Sequence, residues 1–144
     1  MVYYYRADLS RSIETGYPKA AAIKSVSELH EYFDNNKDTY QFHVGYYGEA
    51  NMADEVFSAK PRFDDGFFRE KFLLFVILEE GSGSVRHRVE AALPENGLLS
   101  VNIDRIIPEI GTADMSWWHI VLELEKTLAD MDVAIVISDE PPAG

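Results

Sequence analysis

The sequence predicts an α+β fold: a mostly antiparallel β-sheet of five to seven strands, curled or sandwich-like, with one main helix packed on a face. Three observations lead to this prediction. Residues 72–78 are continuously apolar, residues 85–124 alternate between apolar and polar over much of their length, and a capping box precedes residue 26. The first two patterns indicate strands, and the third indicates the helix.

The length of the chain indicates one domain. A chain of 144 residues is long enough to enclose one sizeable core. We therefore predict a single domain over residues 1–144, which begins with a strand and loop at 1–22. The core follows at 23–138, and a flexible tail is predicted at 139–144.

The predicted helix begins after Ser25. The side chain of Ser25 can accept a hydrogen bond from the backbone amide of Glu28, and the Glu28 side chain can reach back in the reciprocal contact of a capping box. The apolar residues that follow have helical spacing. The helix is predicted over Val26–Asn35, and its apolar side is expected to cover the sheet.

Less regular segments surround this helix. The tyrosine-rich residues 2–6 and the loosely alternating residues 39–47 predict two strands, whereas the serine, glycine and proline content of residues 7–22 predicts a loop. Residues 48–61 are polar and small, which indicates a surface excursion. Residues 64–70 predict one helical turn, because carboxylates are favoured at its N-terminus.

The second half of the chain predicts the rest of the sheet. A continuous apolar run is typical of a strand that is covered on both faces, and alternation is typical of a half-buried strand. Asn96 and Gly97 tolerate positive φ and predict a hairpin turn. The predicted strands are residues 72–78, 85–91, 99–103, 117–124 and 133–137, and residues 108–116 form a long connection.

The charge of the chain excludes one class of partner. The formal net charge is −12, from 25 acidic and 13 basic residues. Such a surface repels phosphate backbones, so direct nucleic-acid binding is not expected. The acidity is strongest in residues 107–144, where Lys126 is the one basic residue. A basic protein partner is compatible with this field, as is the simpler interpretation that acidity keeps the domain soluble.

Other compositional features limit the chemistry. The chain contains no cysteine, which removes disulfides, thiol catalysis and cysteine-based metal sites. No apolar run approaches the roughly 20 residues that span a bilayer, so no membrane partner is expected. Residues 1–6 lack the pattern of a signal peptide, and a cytoplasmic protein is the expectation. No cofactor motif is present, because the Gly81–Ser84 segment lacks the lysine and the helix of a phosphate loop.

Three segments carry a resemblance, namely Phe67–Val76, Glu80–Val89 and Pro108–His119. They resemble a group of small uncharacterised bacterial proteins, which in turn distantly resemble the PrcB C-terminal domain family, from subunits that associate with a surface protease. The shared layout covers residues 23–126. The resemblance implies a noncatalytic interaction domain and transfers no catalytic residue. Members of that family are generally exported or lipid-anchored and carry a Gly-Gly-Tyr-type turn, which Gly81–Ser84 replaces here.

The connection between the third and fourth of these second-half strands is the best candidate contact surface. It combines apolar and aromatic side chains with a carboxylate, and exposed tryptophan and methionine are favoured at protein interfaces. The predicted contact residues are Ile110, Asp114, Met115, Trp117 and Trp118. The alternative is that one tryptophan belongs to the core and the other covers a sheet edge.

Two further groups of side chains have a structural and a functional interpretation. Arg86, Arg88 and Arg105 either form a cross-strand charge ladder with acidic neighbours such as Asp104 or converge on a small anion. His87 and His119 are either core histidines held by a hydrogen bond or members of a His–Asp dyad with Asp104 or Asp114. The four histidines lack the spacing of a metal site, and no metal is predicted.

Three functional hypotheses follow. The first is a noncatalytic protein–protein interaction domain that uses residues 108–118 and the acidic surface near them. The second is an acidic inhibitor, or decoy, that imitates nucleic acid toward a basic protein. The third is a hydrolase with a histidine-centred site. No catalytic residue is assigned.

Overall fold

A computed structural model describes residues 1–10, 14–58 and 61–140 of the chain. The described helices are α1 (Val26–Asn36) and α2 (Asp65–Glu70), with short turns of π-helix at Ala53–Phe57 and of 3-10 helix at Pro61–Phe63 and Lys126–Leu128. The described strands are β1 (Val2–Arg6), β2 (Lys19–Ile23), β3 (Lys71–Glu80), β4 (Arg86–Glu95), β5 (Leu98–Ile106), β6 (Ser116–Glu125) and β7 (Val133–Glu140).

The strands form two sheets. One sheet has the order β1-β6-β3-β2 and is antiparallel throughout. The other has the order β4-β5-β7, in which β4 and β5 form an antiparallel hairpin and β7 is parallel to β5. The predicted α+β fold with five to seven mostly antiparallel strands is therefore confirmed, and seven strands are described.

The central strands β3 and β6 are buried on both faces. Side chains from Phe72 to Leu78 are all between 0 and 3% exposed, as the continuous apolar run predicts. Complete burial of one such side chain contributes roughly 1.5–3 kcal/mol. Alternate residues along β3 therefore belong to two separate apolar layers, one on each face of the four-stranded sheet.

The layer between the two sheets is mostly aliphatic. Leu99, Val101 and Ile103 of β5 are completely buried and face Leu74 and Ile120 of the central strands. Their spacing of two residues is the alternation that the sequence shows. The β4–β5 hairpin closes at Asn96 and Gly97, which have φ values of 53° and 81°. The predicted hairpin is confirmed.

The layer on the other face is aromatic and includes α1. The Ser25 hydroxyl accepts a hydrogen bond from the Glu28 amide at 3.1 Å, so the predicted helix cap is confirmed, and the helix ends at Asn36. Leu29 of α1 packs in one cluster with Phe75 of β3. None of the described helices combines the length and hydrophobicity needed to cross a bilayer.

Some local predictions are wrong. Residues 39–47 do not form a strand; an isolated bridge joins Tyr40 to Leu9, and Tyr40 and Phe42 enter the aromatic layer from a loop. Burial of separate rings produces the same loose alternation as a strand. The predicted loop at 7–22, of which residues 11–13 lie outside the described part of the chain, contains the first four residues of β2, whose alanines pair with β3 despite their low strand preference.

Two boundaries also differ from the prediction. The predicted surface excursion at 48–61 contains Met52, Val56 and Phe57, all of which are buried. β7 continues to Glu140, so the first two residues of the predicted tail belong to a strand. The remaining residues of that tail, 141–144, lie outside the described part of the chain.

Candidate functional site

The connection between β5 and β6 exposes two large apolar side chains. Ile110 is 90% exposed and Met115 is 47% exposed. Hydrogen bonds attach the intervening backbone to the turn before β4. The amide of Thr112 donates to the Ser84 hydroxyl at 3.0 Å, and the amide of Gly83 donates to the Asp114 carboxylate at 3.2 Å. The connection is therefore anchored at its centre while its apolar side chains face outward.

A buried arginine at the end of β1 completes this anchor. The Arg6 guanidinium lies 2.9 Å from the Asp114 carboxylate and 3.0 Å from that of Asp8, and Arg6 is only 8% exposed. A side chain at Gly83 would collide with Arg6 and Asp114, so any larger residue would displace this ion pair. Hydrogen bonds from Thr112, from Arg6 and from the Gly83 amide hold the pKa of Asp114 well below its usual range. The Asp114 carboxylate therefore remains charged at neutral pH and keeps its contact with Arg6. We call the contacts of Arg6 with Asp8 and Asp114 the Arg6 clamp.

A second loop is attached to the same arginine. The Arg6 guanidinium lies over the Tyr46 ring, 4.4 Å from its centroid. The next residue, Tyr47, is 77% exposed and has a φ of 52°, and Gly48 follows with a φ of 78°. This left-handed turn, closed by a hydrogen bond from the Glu49 amide to the Tyr46 carbonyl, presents the Tyr47 ring to solvent. We call Tyr47, Ile110 and Met115 the loop surface.

The two tryptophans predicted as contact residues have structural roles. Trp118 is 2% exposed, and its indole N–H donates to the Ser116 hydroxyl at 3.1 Å. Trp117 is half-buried against the aromatic layer, and its indole N–H donates to Glu79 at 3.0 Å. The inclusion of Trp118 in the contact surface is thus wrong. Of the five predicted contact residues, Ile110 and Met115 are exposed, and Asp114 holds the loop in place.

The three arginines predicted as a weak anion site do not converge. Arg88 binds Glu90, Asp104 and Glu140, whereas Arg105 binds Glu80 at 2.6 Å and Asp139 at 2.8 Å. Arg86 donates to the Gly83 carbonyl and lies over Trp118. Each guanidinium already has acceptors of its own, so these contacts do not support the predicted anion site. The alternative, a charge ladder, describes Arg88 opposite Asp104.

His87 belongs to a charged group between the sheets. Its Nε2 lies 2.7 Å from the carboxylate of Glu80, which also accepts from Arg105. The side chains of His87 and Glu80 are 0% and 2% exposed. Burial alone raises the pKa of Glu80, but the hydrogen bonds from His87 and Arg105 outweigh burial, and its pKa is lowered. The acidic partner of this histidine is thus Glu80 and not the Asp104 or Asp114 of the dyad interpretation, and His87 matches the alternative of a buried histidine held by a hydrogen bond.

His119 is enclosed in the aromatic layer. Its Nε2 lies 2.6 Å from the Tyr32 hydroxyl, and its Nδ1 has no hydrogen-bond partner among the described residues. The rings of Tyr40 and Phe42 stand edge-on to the imidazole, with centroids at 4.8 and 5.3 Å. Burial lowers the pKa of His119 to about 3. The imidazole is neutral at physiological pH, and a substrate does not reach it in this conformation.

Comparison with models of protein families, with curated proteins and with solved structures finds no match for this chain. The resemblance to the PrcB C-terminal domain family therefore stays a prediction. Among the described residues, no group of three His, Asp or Glu side chains is placed to hold a metal ion.

Two members of this site are absent from the sequence-based prediction. The alternation of residues 39–47 predicts a strand that ends at Tyr47, although the glycines at 45 and 48 around a pair of tyrosines indicate a turn that displays an aromatic ring. For Arg6 the sequence predicts a position in a strand and no contact. Its contact with Asp114 joins residues 108 positions apart, and a single sequence contains no local signal for such a pair.

Proposed function

We propose that this chain is a noncatalytic protein-binding domain that contacts its partner through the loop surface. The observation that carries the proposal is the Arg6 clamp, which ties the loops bearing Tyr47, Ile110 and Met115 to one buried guanidinium. Large apolar side chains on anchored loops are a common basis of protein recognition. In this proposal Asp114 does not contact the partner but holds the connection between β5 and β6 in place.

The clamp lowers the cost of binding. A flexible loop loses conformational freedom when it binds, at roughly 0.5–1.5 kcal/mol for each immobilised side chain. Here the segment between Ile110 and Met115 is already held in place by hydrogen bonds of Thr112 and Asp114. The apolar area that the partner covers therefore contributes more of its free energy to affinity. The net charge of −12 favours a partner with a basic rim around an apolar centre.

The acidic decoy is the alternative interpretation. Several exposed carboxylates of the second half are already paired with bases, as Asp139 is with Arg105 and Glu140 is with Arg88. Paired carboxylates imitate a phosphate backbone poorly, because part of their charge is neutralised. The apolar loop surface is also unlike nucleic acid. These features favour the interaction domain over the decoy.

The test uses a photo-cross-linking residue at Ile110 and, as a matched control, at Leu93, an exposed leucine on β4 that is 53% accessible. Each protein is irradiated in extract of the native host, and the partner joined at position 110 is purified. We expect the Kd between this partner and the Ile110→Asp, Met115→Asp double variant to be about 100-fold higher than that of the unaltered chain. The Kd between the partner and the Leu93→Asp variant should change little.

The salt dependence then separates the two interpretations. For an interaction domain, raising the salt from about 0.1 M to about 1 M weakens binding only modestly, because screening acts on charges and not on apolar contacts. A decoy loses its partner over the same range and competes with DNA or RNA for it. Equal cross-linking from positions 110 and 93, or unchanged affinity of the double variant, would contradict the proposal.

A further inference from the structure

Three of the four edge strands carry features that block pairing with another chain. Edges expose unpaired N–H and C=O groups, and short strands, bulges and charged residues protect them. β1 and β2 are only five residues long. In β4 the register shifts between Val89 and Ala91, and the amide of Val89 donates to the Tyr4 hydroxyl at 3.0 Å. β4 also contains Arg86, Arg88 and Pro94.

β7 has no bulge, and its two charged residues, Asp139 and Glu140, are confined to its end. It is eight residues long, and its pairing with β5 runs without a shift from Val133 to Glu140. Its sequence contains no lysine, arginine or proline. Within residues 1–10, 14–58 and 61–140, no strand pairs with its other edge. The unpaired edge is about 26 Å long at the usual rise per residue.

Both faces of β7 offer space beside this edge. Val136 and Ile137 are 47% and 38% exposed and, as neighbours in a strand, point to opposite faces. Val136 borders a shallow cavity of about 440 Å³ over β5 and β7, which is lined by Leu98 and by polar side chains such as Asn102. Ile137 borders a cavity of about 300 Å³ that combines Leu78 with charged side chains of β3 and β5. Alternate side chains of an added strand would therefore lie beside one cavity or the other.

The charge around the edge selects the occupant. The carboxylates before and at the end of the strand are Asp130, Asp132, Asp139 and Glu140. Lys24, Arg105 and Arg88 each neutralise part of the charge of one of them, whereas Asp132 forms no ion pair within the described residues. A second copy of this chain would add another net charge of −12, which opposes pairing. A segment with basic residues is attracted instead.

We propose that β7 is a second interaction edge, to which an extended basic segment of a partner protein adds as a fourth strand of the three-stranded sheet. The segment is about six to eight residues long, with apolar side chains for the two cavities and lysine or arginine at its ends. This proposal concerns a strand separate from the loop surface and does not depend on the function proposed above.

The probe is a synthetic eight-residue peptide with two lysines at each end and four valines between them, blocked at both ends, so that valines face both sides of the strand. The control is the same peptide with glutamate in place of lysine. Hydrogen exchange of the whole chain is followed with each peptide at concentrations up to about 1 mM. We expect the lysine peptide to slow exchange in residues 133–140 and to leave β4 unaffected. We expect the glutamate peptide to have no effect.

Two variants locate the contact. Val136→Lys places a charge beside the β7 edge, and we expect it to weaken peptide binding about tenfold. Leu93→Lys adds the same charge to the same face of the sheet, two strands away, and is expected to leave binding unchanged. Ile110→Asp tests independence from the loop surface and is also expected to have no effect.

Several outcomes would overturn the proposal. They are the absence of protection in residues 133–140, equal effects of the two lysine variants, and equal binding of the acidic and basic peptides. A dimer in sedimentation, with residues 133–140 protected at its interface, would assign the edge to a second copy of the chain and would equally refute a basic partner segment.

Discussion

Two buried histidines lie on opposite faces of the four-stranded sheet, and their surroundings differ. His87 lies between the sheets beside the Trp118 ring and shares the Glu80 carboxylate with Arg105, so its polar neighbours are ions. His119 lies on the helix side among aromatic rings, and its one described polar contact is the Tyr32 hydroxyl. The first site keeps charges buried by pairing them, whereas the second keeps the imidazole neutral. The two sites should therefore respond differently to mutation and to pH.

The largest effect is expected at Glu80. Glu80→Ala removes the acceptor of both His87 and Arg105, and loss of one partner from a buried charged group destabilises a protein by about 3 kcal/mol. Urea unfolding at pH 7 measures this change. Glu95→Ala, at an exposed hairpin position, is the control and should change stability by less than about 0.5 kcal/mol. A loss below about 1 kcal/mol for Glu80→Ala would show that the charged group contributes little.

The second prediction concerns acid and His119. Its pKa is about 3 in the folded chain and about 6.5 when unfolded, so the unfolded state takes up the proton first as the pH falls. Stability is thus complete above pH 6.5 and declines below it, by about 2 kcal/mol between pH 6.5 and 4.5. Below pH 4.5 protonation of Glu80, whose pKa is lowered, adds a further loss.

Urea unfolding at a series of pH values tests this prediction. His119→Gln removes the titrating group and keeps a side chain that can bond to the Tyr32 hydroxyl. The variant should lose most of the decline between pH 6.5 and 4.5. If the stability of the variant falls with pH as steeply as that of the unaltered chain, a group other than His119 causes the decline. The different pH response that we expect of the two histidine sites would then be wrong.

A smaller effect is expected at Tyr32. Tyr32→Phe keeps the ring but removes the hydroxyl that contacts Nε2 of His119, which leaves a buried polar atom without a partner. The expected loss is about 1–2 kcal/mol by thermal or urea unfolding at pH 7. Tyr47→Phe removes an exposed hydroxyl and is the matched control, with no expected change. Equal stability of the two variants would show that the aromatic rings alone hold the imidazole.

The smallest effect on stability is expected at the loop surface. Ile110 is 90% exposed, so Ile110→Asp should change the free energy of unfolding by less than about 0.5 kcal/mol. This expectation separates binding from folding in the experiments above. A loss of more than about 1 kcal/mol would mean that Ile110 packs against its own domain, and the variant would then be unsuitable for the binding test.

The sequence predicted the parts of the fold whose signals are local. The apolar run of β3, the alternation in β5, the cap at Ser25 and the turn at Asn96 each reflect interactions between near neighbours. The aromatic layer was missed, because its rings come from separate loops, and Phe42 and Phe57 have no shared period. β2 was missed for a related reason, since its alanines become a strand only through their pairing with β3.

The candidate site was predicted in part. The connection after β5 was identified from its composition, and Ile110 and Met115 are exposed as expected. Trp118 was misassigned because residue type alone does not say which face of a strand is buried. The separate environments of Arg88 and Arg105 follow from the packing of two sheets, and sequence reasoning had no access to that packing.

The pairing of β1 with β6 has a kinetic consequence. It joins positions as far apart as Tyr3 and Glu123, which are separated by 120 residues. The loop between them must close before these contacts stabilise the chain, and domains with many such contacts fold in milliseconds to seconds. We therefore expect β1 to pair late, after β3 and β6 have paired. Stopped-flow folding and unfolding experiments on a Tyr3→Ala variant should show a faster unfolding rate and little change in the folding rate.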